Sequence, residues 1–165
     1  MRLLCVLTCA TTVLLTRPAR GSDFQDTQYG YAVSPPEFSA APMGGAVKRL
    51  IVMAPPGADG FGPNMGVMIQ EVQTTRDKYM SLSERQFEDA GMKVRSSSKR
   101  EVSGTPAVLF EYEGPMNGRN LRFLSLAVVL RDRVLLLTYT ATAESFGGLE
   151  KEFRRSLESF RLARR

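Results

Sequence analysis

The stretch TPAVLFEYEGPMNGRNLRFLSLAVVLRDRVLLLTYTAT (Thr105–Thr142) decides the fold. It divides into three runs, Thr105 to Tyr112, Arg119 to Leu130 and Arg133 to Thr142. Asn117-Gly118 joins the first pair, and Asn-Gly is the strongest short-range hairpin signal because both residues tolerate positive φ. Arg131-Asp132 turns the second pair. In the middle run Phe123, Ala127 and Val129 fall on one face, and Leu124, Leu126, Val128 and Leu130 on the other. A strand that is apolar on both faces is covered on both. The meander therefore lies mid-sheet, and the fold class is α+β, a central antiparallel sheet sandwiched between helices.

The flanking sequence supplies the rest of the sandwich. Tyr29 to Val33 reads as a short strand stopped by Pro35-Pro36, and Lys48 to Met53 as a second. The second runs into the breaker-rich stretch Ala54 to Asn64, which continues neither a strand nor a helix and so forms a surface loop. A third strand follows at Met65 to Val72. From Arg76 to Ala90 the period turns helical, with Tyr79, Ser83, Phe87 and Ala90 on one face and Gly91 at the C-cap. Ser81 with Glu84 matches a capping box, which places the regular start as late as Ser81. Lys93 to Glu101 suits an edge strand with Lys93, Arg95 and Lys99 on one side, and positive charge along an edge discourages intermolecular strand pairing. Phe146, Leu149, Phe153, Leu157 and Phe160 form the apolar stripe of a last helix over Phe146 to Ser159.

The N-terminus reads as an export signal. Arg2 opens it, Leu3 to Leu15 is an almost unbroken apolar run, and Ala19-Arg20-Gly21 places small residues before a break at Gly21/Ser22. A spanning helix needs roughly 20 apolar residues, and this run is several short. Residues 1–21 are thus a cleaved signal, 22–28 a flexible leader, 29–162 a single α/β domain and 163–165 a basic tail. Cys5 and Cys9, the only two cysteines, leave with the signal. The mature chain then has no disulfide and depends on its core, which about 144 residues suffice to build. Histidine and tryptophan are absent throughout. The chain carries net +5, and loss of Arg2, Arg17 and Arg20 leaves about +2, no electrostatic footprint for nucleic acid.

Several local patterns in this order resemble the PsbP-like superfamily. They are Gly30-Tyr31-Ala32-Val33-Ser34-Pro35-Pro36, the helix ending at Gly91 before Lys93-Val94, Gly104-Thr105-Pro106-Ala107 leading to Glu111-Tyr112, Thr140-Ala141-Thr142-Ala143 ahead of Phe146, and Ser159-Phe160-Arg161. The resemblance spans most of residues 24–162. It implies an antiparallel sheet between helical layers, used mainly for protein binding or assembly. Each matching piece is a turn, a cap or a core strand, so no functional residue carries over.

Motif by motif, the residues point away from catalysis. Ser96-Ser97-Ser98-Lys99 has the S-x-x-K spacing of penicillin-recognising enzymes, but it lies in a strand and lacks the companion motifs. The glycines at 60, 62 and 66 have the wrong spacing for dinucleotide binding, and Pro63 removes a backbone donor. That segment reads instead as a mobile loop. Without imidazole or thiolate, only oxygen-ligand sites for hard cations remain, and Asp59 stands alone in its loop. No catalytic, cofactor or metal site is assigned. The one candidate functional feature is the loop 54–64, with Pro56, Asp59, Phe61 and Asn64 as partner-binding residues and Phe61 as an exposed aromatic anchor. The expectation is an exported, non-enzymatic domain that binds another extracytoplasmic protein. It needs no cofactor, contacts no nucleic acid and keeps no transmembrane helix after cleavage. The alternative is a small-molecule or lipid carrier using a pocket between sheet and helix.

Overall fold

The computed structural model describes residues 23–37 and 48–163. The expected signal, Met43 and the last two residues of the basic tail lie outside them. In chain order the elements are β1 (Phe24–Asp26), β2 (Tyr31–Val33), β3 (Lys48–Met53), β4 (Asn64–Gln70), α1 (Arg76–Asp89), β5 (Lys93–Val102), β6 (Thr105–Met116), β7 (Arg119–Val129), β8 (Val134–Thr142), α2 (Ala143–Glu158) and β9 (Arg161–Leu162). Six strands form an antiparallel sheet in the order β3-β4-β8-β7-β6-β5, and β1-β2-β9 make a small second sheet.

The meander is as the sequence predicts. Asn117 and Gly118 turn β6 into β7 with φ of 52° and 75°, and Ser103-Gly104 repeats the device between β5 and β6 at 51° and 76°. Two successive positive φ values match the right-handed strand twist of a two-residue hairpin. Leu124, Leu126 and Val128 of β7 enter one core together with Leu50, Met65, Leu137, Tyr139, Phe146 and Phe153. Val108, Phe110, Ala127 and Val129 enter a second core on the opposite face.

Helix α2 covers the first face. Thr142 caps it by accepting from the Ser145 N–H, so it begins before the expected Phe146. Phe146 and Phe153 are fully buried, each contributing about 2–3 kcal/mol of apolar transfer. Helix α1 covers the second face beside β5 and β6. Its Phe87 ring stacks on Tyr112 at 4.0 Å, and Tyr112 stacks on Phe123 at 4.7 Å. The late start at Ser81 is not observed. Thr75 is the N-cap, accepting from the Lys78 N–H, and the helix runs from Arg76. That earlier turn is held because Tyr79 packs into the second core and its hydroxyl donates to Gln70 Oε1 at 2.8 Å. Ala90, expected on the apolar face, is exposed.

Two further expectations are corrected. The leader 22–28 contains β1, which pairs Phe24 with Val33 and Asp26 with Tyr31. Tyr31 in turn stacks on Phe160 at 5.4 Å, and the Ser34 N–H donates to Ser159 Oγ at 2.8 Å, so this segment latches onto the C-terminal end of α2. Strand β5 does occupy a sheet edge, but its cations do not share a side. The register shifts between Val94 and Ser96, and a bulge re-aims the side chains that follow. Arg95 consequently pairs with Glu113 at 2.8 Å on the α2 side, while Lys99 reaches Asp77 of α1 at 3.0 Å.

Candidate functional site

The loop between β3 and β4 is a closed turn. The Ala54 N–H donates to the Pro63 carbonyl at 2.8 Å, Gly57 to Phe61 at 3.0 Å and Gly60 to Gly57 at 2.9 Å. Gly62 is buried, and a Cβ there would stand 2.6 Å from the Ala54 carbonyl oxygen. Arg119 Nη2 adds a bond to the Asp59 carbonyl at 3.2 Å. The segment expected to be mobile is therefore pinned at its base, tip and flank.

The four candidate residues occupy different settings. Pro56 is exposed. Asp59 is exposed too, but its Oδ1 accepts the Phe61 N–H at 2.9 Å, and this bond holds its carboxyl below the usual range. The Asn64 amide donates back to Gly62. Phe61 corrects the sequence reading most sharply. It is half-buried and packs on Met92, Leu121 and Phe123, so it is a plug for the core's end and no exposed anchor. The structure thus brings Asp59 and Phe61 into one turn without making the four residues converge on a surface.

Another surface is left open. Residues paired across strands share a face, so the registers define rows on the α1 side of the sheet. One row reads Ile51, Gly66, Thr138, Ser125 and Phe110, and the next Met68, Leu136, Ala127 and Val108. Helix α1 packs against β5 and β6. Toward β8, β4 and β3 the same rows grow exposed: Leu136, Thr138, Gly66, Met68 and Ile51 are all only part-buried, and Met53 is 40% exposed. The bond from Tyr79 to Gln70 bounds this half-face at one end and the Phe61 turn at the other. Gly66 keeps its floor flat. A chain of hydroxyls, Tyr112 to Ser125 at 3.3 Å and Ser125 to Thr138 at 3.0 Å, runs from beneath α1 into it. Burial pushes the Tyr112 and Tyr79 hydroxyls up, Tyr79 to about 12, so both stay neutral. The sequence signal was the alternation in β4, where Asn64, Gly66, Met68 and Gln70 interleave with the buried Met65, Val67 and Ile69.

The α2 side carries the main charge cluster. Arg122 lies 3.3 Å from Glu111 and 3.8 Å from Glu150, and Arg154 bonds both of these carboxylates. Arg122 also sits over the Phe146 ring, 4.4 Å from its centroid. Burial raises the Glu111 carboxyl, but Arg154 and Arg122 outweigh it and hold it below the ordinary value. Beside this cluster an open-sided groove of about 410 Å³ runs between the end of β5 and α2, floored by Leu109, Leu126 and Leu157. Among the described residues no three carboxylates converge as metal ligands would, and no helix is long and apolar enough to cross a membrane.

No family model and no curated protein matches the sequence. Solved structures do match the fold. LpqN of Mycobacterium tuberculosis, described as involved in cell envelope biogenesis, aligns with a TM-score of 0.67 at 12% identity over 87% of this chain and 90% of its own. Cyanobacterial PsbP (CyanoP) from Synechocystis sp. PCC 6803 aligns at 0.64 and 14% identity, over 86% and 91%. PA94 from Pseudomonas aeruginosa, a protein of unknown function, aligns at 0.62 and 17% identity, over 87% and 96%. With its six-stranded antiparallel sheet between α1 and α2, the chain has the PsbP-like fold.

Proposed function

We propose that this protein is an exported, non-enzymatic module of the cell envelope that binds another extracytoplasmic protein through the open half-face of its sheet. The observation that carries the reading is the patch beside α1 formed by the part-buried Ile51, Met68 and Leu136 and the exposed Met53. Contiguous apolar surface of this kind marks protein contact sites, and methionines adapt to a partner's shape. The fold shared with LpqN, an envelope-biogenesis protein, and the apolar N-terminal run support the envelope setting.

The test is native mass spectrometry of protein isolated from its own cell envelope after mild cross-linking. The expected result is a discrete added protein mass that disappears in a Met53→Lys, Met68→Lys variant and persists in Phe61→Ala. Equal capture by the lysine variant would refute the assignment to this face. A small-molecule adduct without a protein would put the carrier reading in its place.

A further inference from the structure

The six methionines among the described residues sit in unlike settings. Met65 is fully buried in the first core, and Met92 is nearly so at the core's end, where a Cβ on Gly114 would stand 2.7 Å from its sulfur. Met68 and Met80 are part-buried. Met53 and Met116 are open to solvent, at 40% and 41%. No cysteine lies among the described residues, and tryptophan and histidine are absent from the chain. An oxidant reaching this surface therefore meets an exposed thioether before any other soft group.

The two exposed sulfurs differ in what surrounds them. Met116 ends β6 and is followed by Asn117, Gly118, Arg119 and Asn120, all exposed, so a polar group added there joins a polar hairpin. Met53 ends β3, pairs with Asn64 and shares its side of the sheet with Ile51. It lies on the apolar half-face and belongs to none of the three buried clusters. A change at its sulfur therefore alters the surface and spares the fold.

We propose that Met53 is an oxidation site through which a hydroperoxide turns the half-face polar and releases the bound partner. A lone pair of the thioether sulfur attacks the terminal peroxide oxygen, and the S–O bond forms as the O–O bond breaks. The proton of the attacked oxygen passes to the departing one. The products are the sulfoxide and an alcohol, or water from hydrogen peroxide; sulfur loses two electrons and the peroxide gains them. The flexible apolar side chain becomes a polar one, and losing its buried contact costs about tenfold or more in affinity. The release rests on the half-face reading above, whereas the choice of sulfur does not.

The experiment treats the purified protein with hydrogen peroxide and places each added oxygen by tandem mass spectrometry. Met53 and Met116 should oxidise at comparable rates, with Met65 and Met92 at least about tenfold slower because they require local opening. In a Met116→Leu background, the treated protein should elute earlier in hydrophobic-interaction chromatography and lose its cross-linked partner mass. Adding Met53→Leu, which keeps the patch apolar and removes the sulfur, should abolish both effects. Oxidation of Met53 no faster than Met65 would overturn the site. Unchanged retention and capture after Met53 is oxidised would overturn the switch. No capture even by untreated protein would refute the half-face reading and the release with it, while the oxidation order would still decide the site.

Discussion

Replacing Gly62 by alanine tests whether the β3–β4 turn is built into the fold. The added methyl would lie 2.6 Å from the Ala54 carbonyl oxygen, where a carbon–oxygen contact settles at about 3.3 Å or more. Both partners are backbone, so no side chain can swing aside to supply the missing distance of about 0.7 Å. The base must widen, and the Ala54 to Pro63 bond of 2.8 Å lies across that base. Overpacking of this kind costs about 1–3 kcal/mol, and a weakened hydrogen bond adds up to about 1. With a urea slope of about 2 kcal/mol/M, the unfolding midpoint should fall by about 1 M. Circular dichroism and tyrosine fluorescence report it, since the chain has no tryptophan. Should the turn yield locally instead, the Gly57 and Phe61 amides would lose exchange protection while the midpoint holds. An unchanged midpoint together with unchanged protection would refute the argument that Gly62 is required by close approach.

The other predictions concern α2 and its charges. Gly147 and Gly148 are helical, exposed and have nothing within 4 Å of a Cβ, so alanine at each should stabilise by about 0.5–1 kcal/mol and raise Tm by a few degrees in calorimetry. Glu111→Gln removes the carboxylate shared by Arg122 and Arg154. Its cluster is partly solvated, so the loss should be about 1–3 kcal/mol by urea unfolding, below the cost of a fully buried pair. In a pH series, the lowered carboxyls of Glu111 and Glu113 contribute stability above their unfolded value and lose it as pH falls through the folded one. Stability should therefore drop below about pH 4 and stay level from about 5 to 8, where no histidine titrates. A step near pH 6 would contradict this.

What was legible in the sequence is what local chemistry determines. The Asn117-Gly118 hairpin follows from φ tolerance and the strand Lys48–Met53 from its apolar, β-branched run, and the charge of β5 marks it as an edge. Features that depend on distant partners were not legible. Ser81 and Glu84 match a capping box, yet the helix starts at Arg76 because Tyr79 must reach Gln70 and Phe110. Phe61 sits among glycines and prolines, and nothing nearby shows that Met92 and Phe123 will receive it. The bulge at Arg95 is set by the register with β6, not by its own residue type. The open half-face was half visible. The Gly66 and Met68 alternation shows a weakly apolar face, but only the placement of α1 over β5 and β6 shows that neither described helix covers it.

The pairing of β2 with β9 has a bearing on how the chain matures. The hairpins at Ser103-Gly104 and Asn117-Gly118 close between near neighbours, whereas the Ser34 and Ser159 contact joins residues 125 apart. Loop closure over such a span comes at a higher entropic cost and belongs late in folding. During synthesis the meander is complete before Phe160 and Leu162 exist, and the β1–β2 pair waits without β9 until they do. Assembly therefore ends with a zip that fastens β1 and β2 to β9, and a chain shortened by its final turn would keep its sheet but lose its fastening.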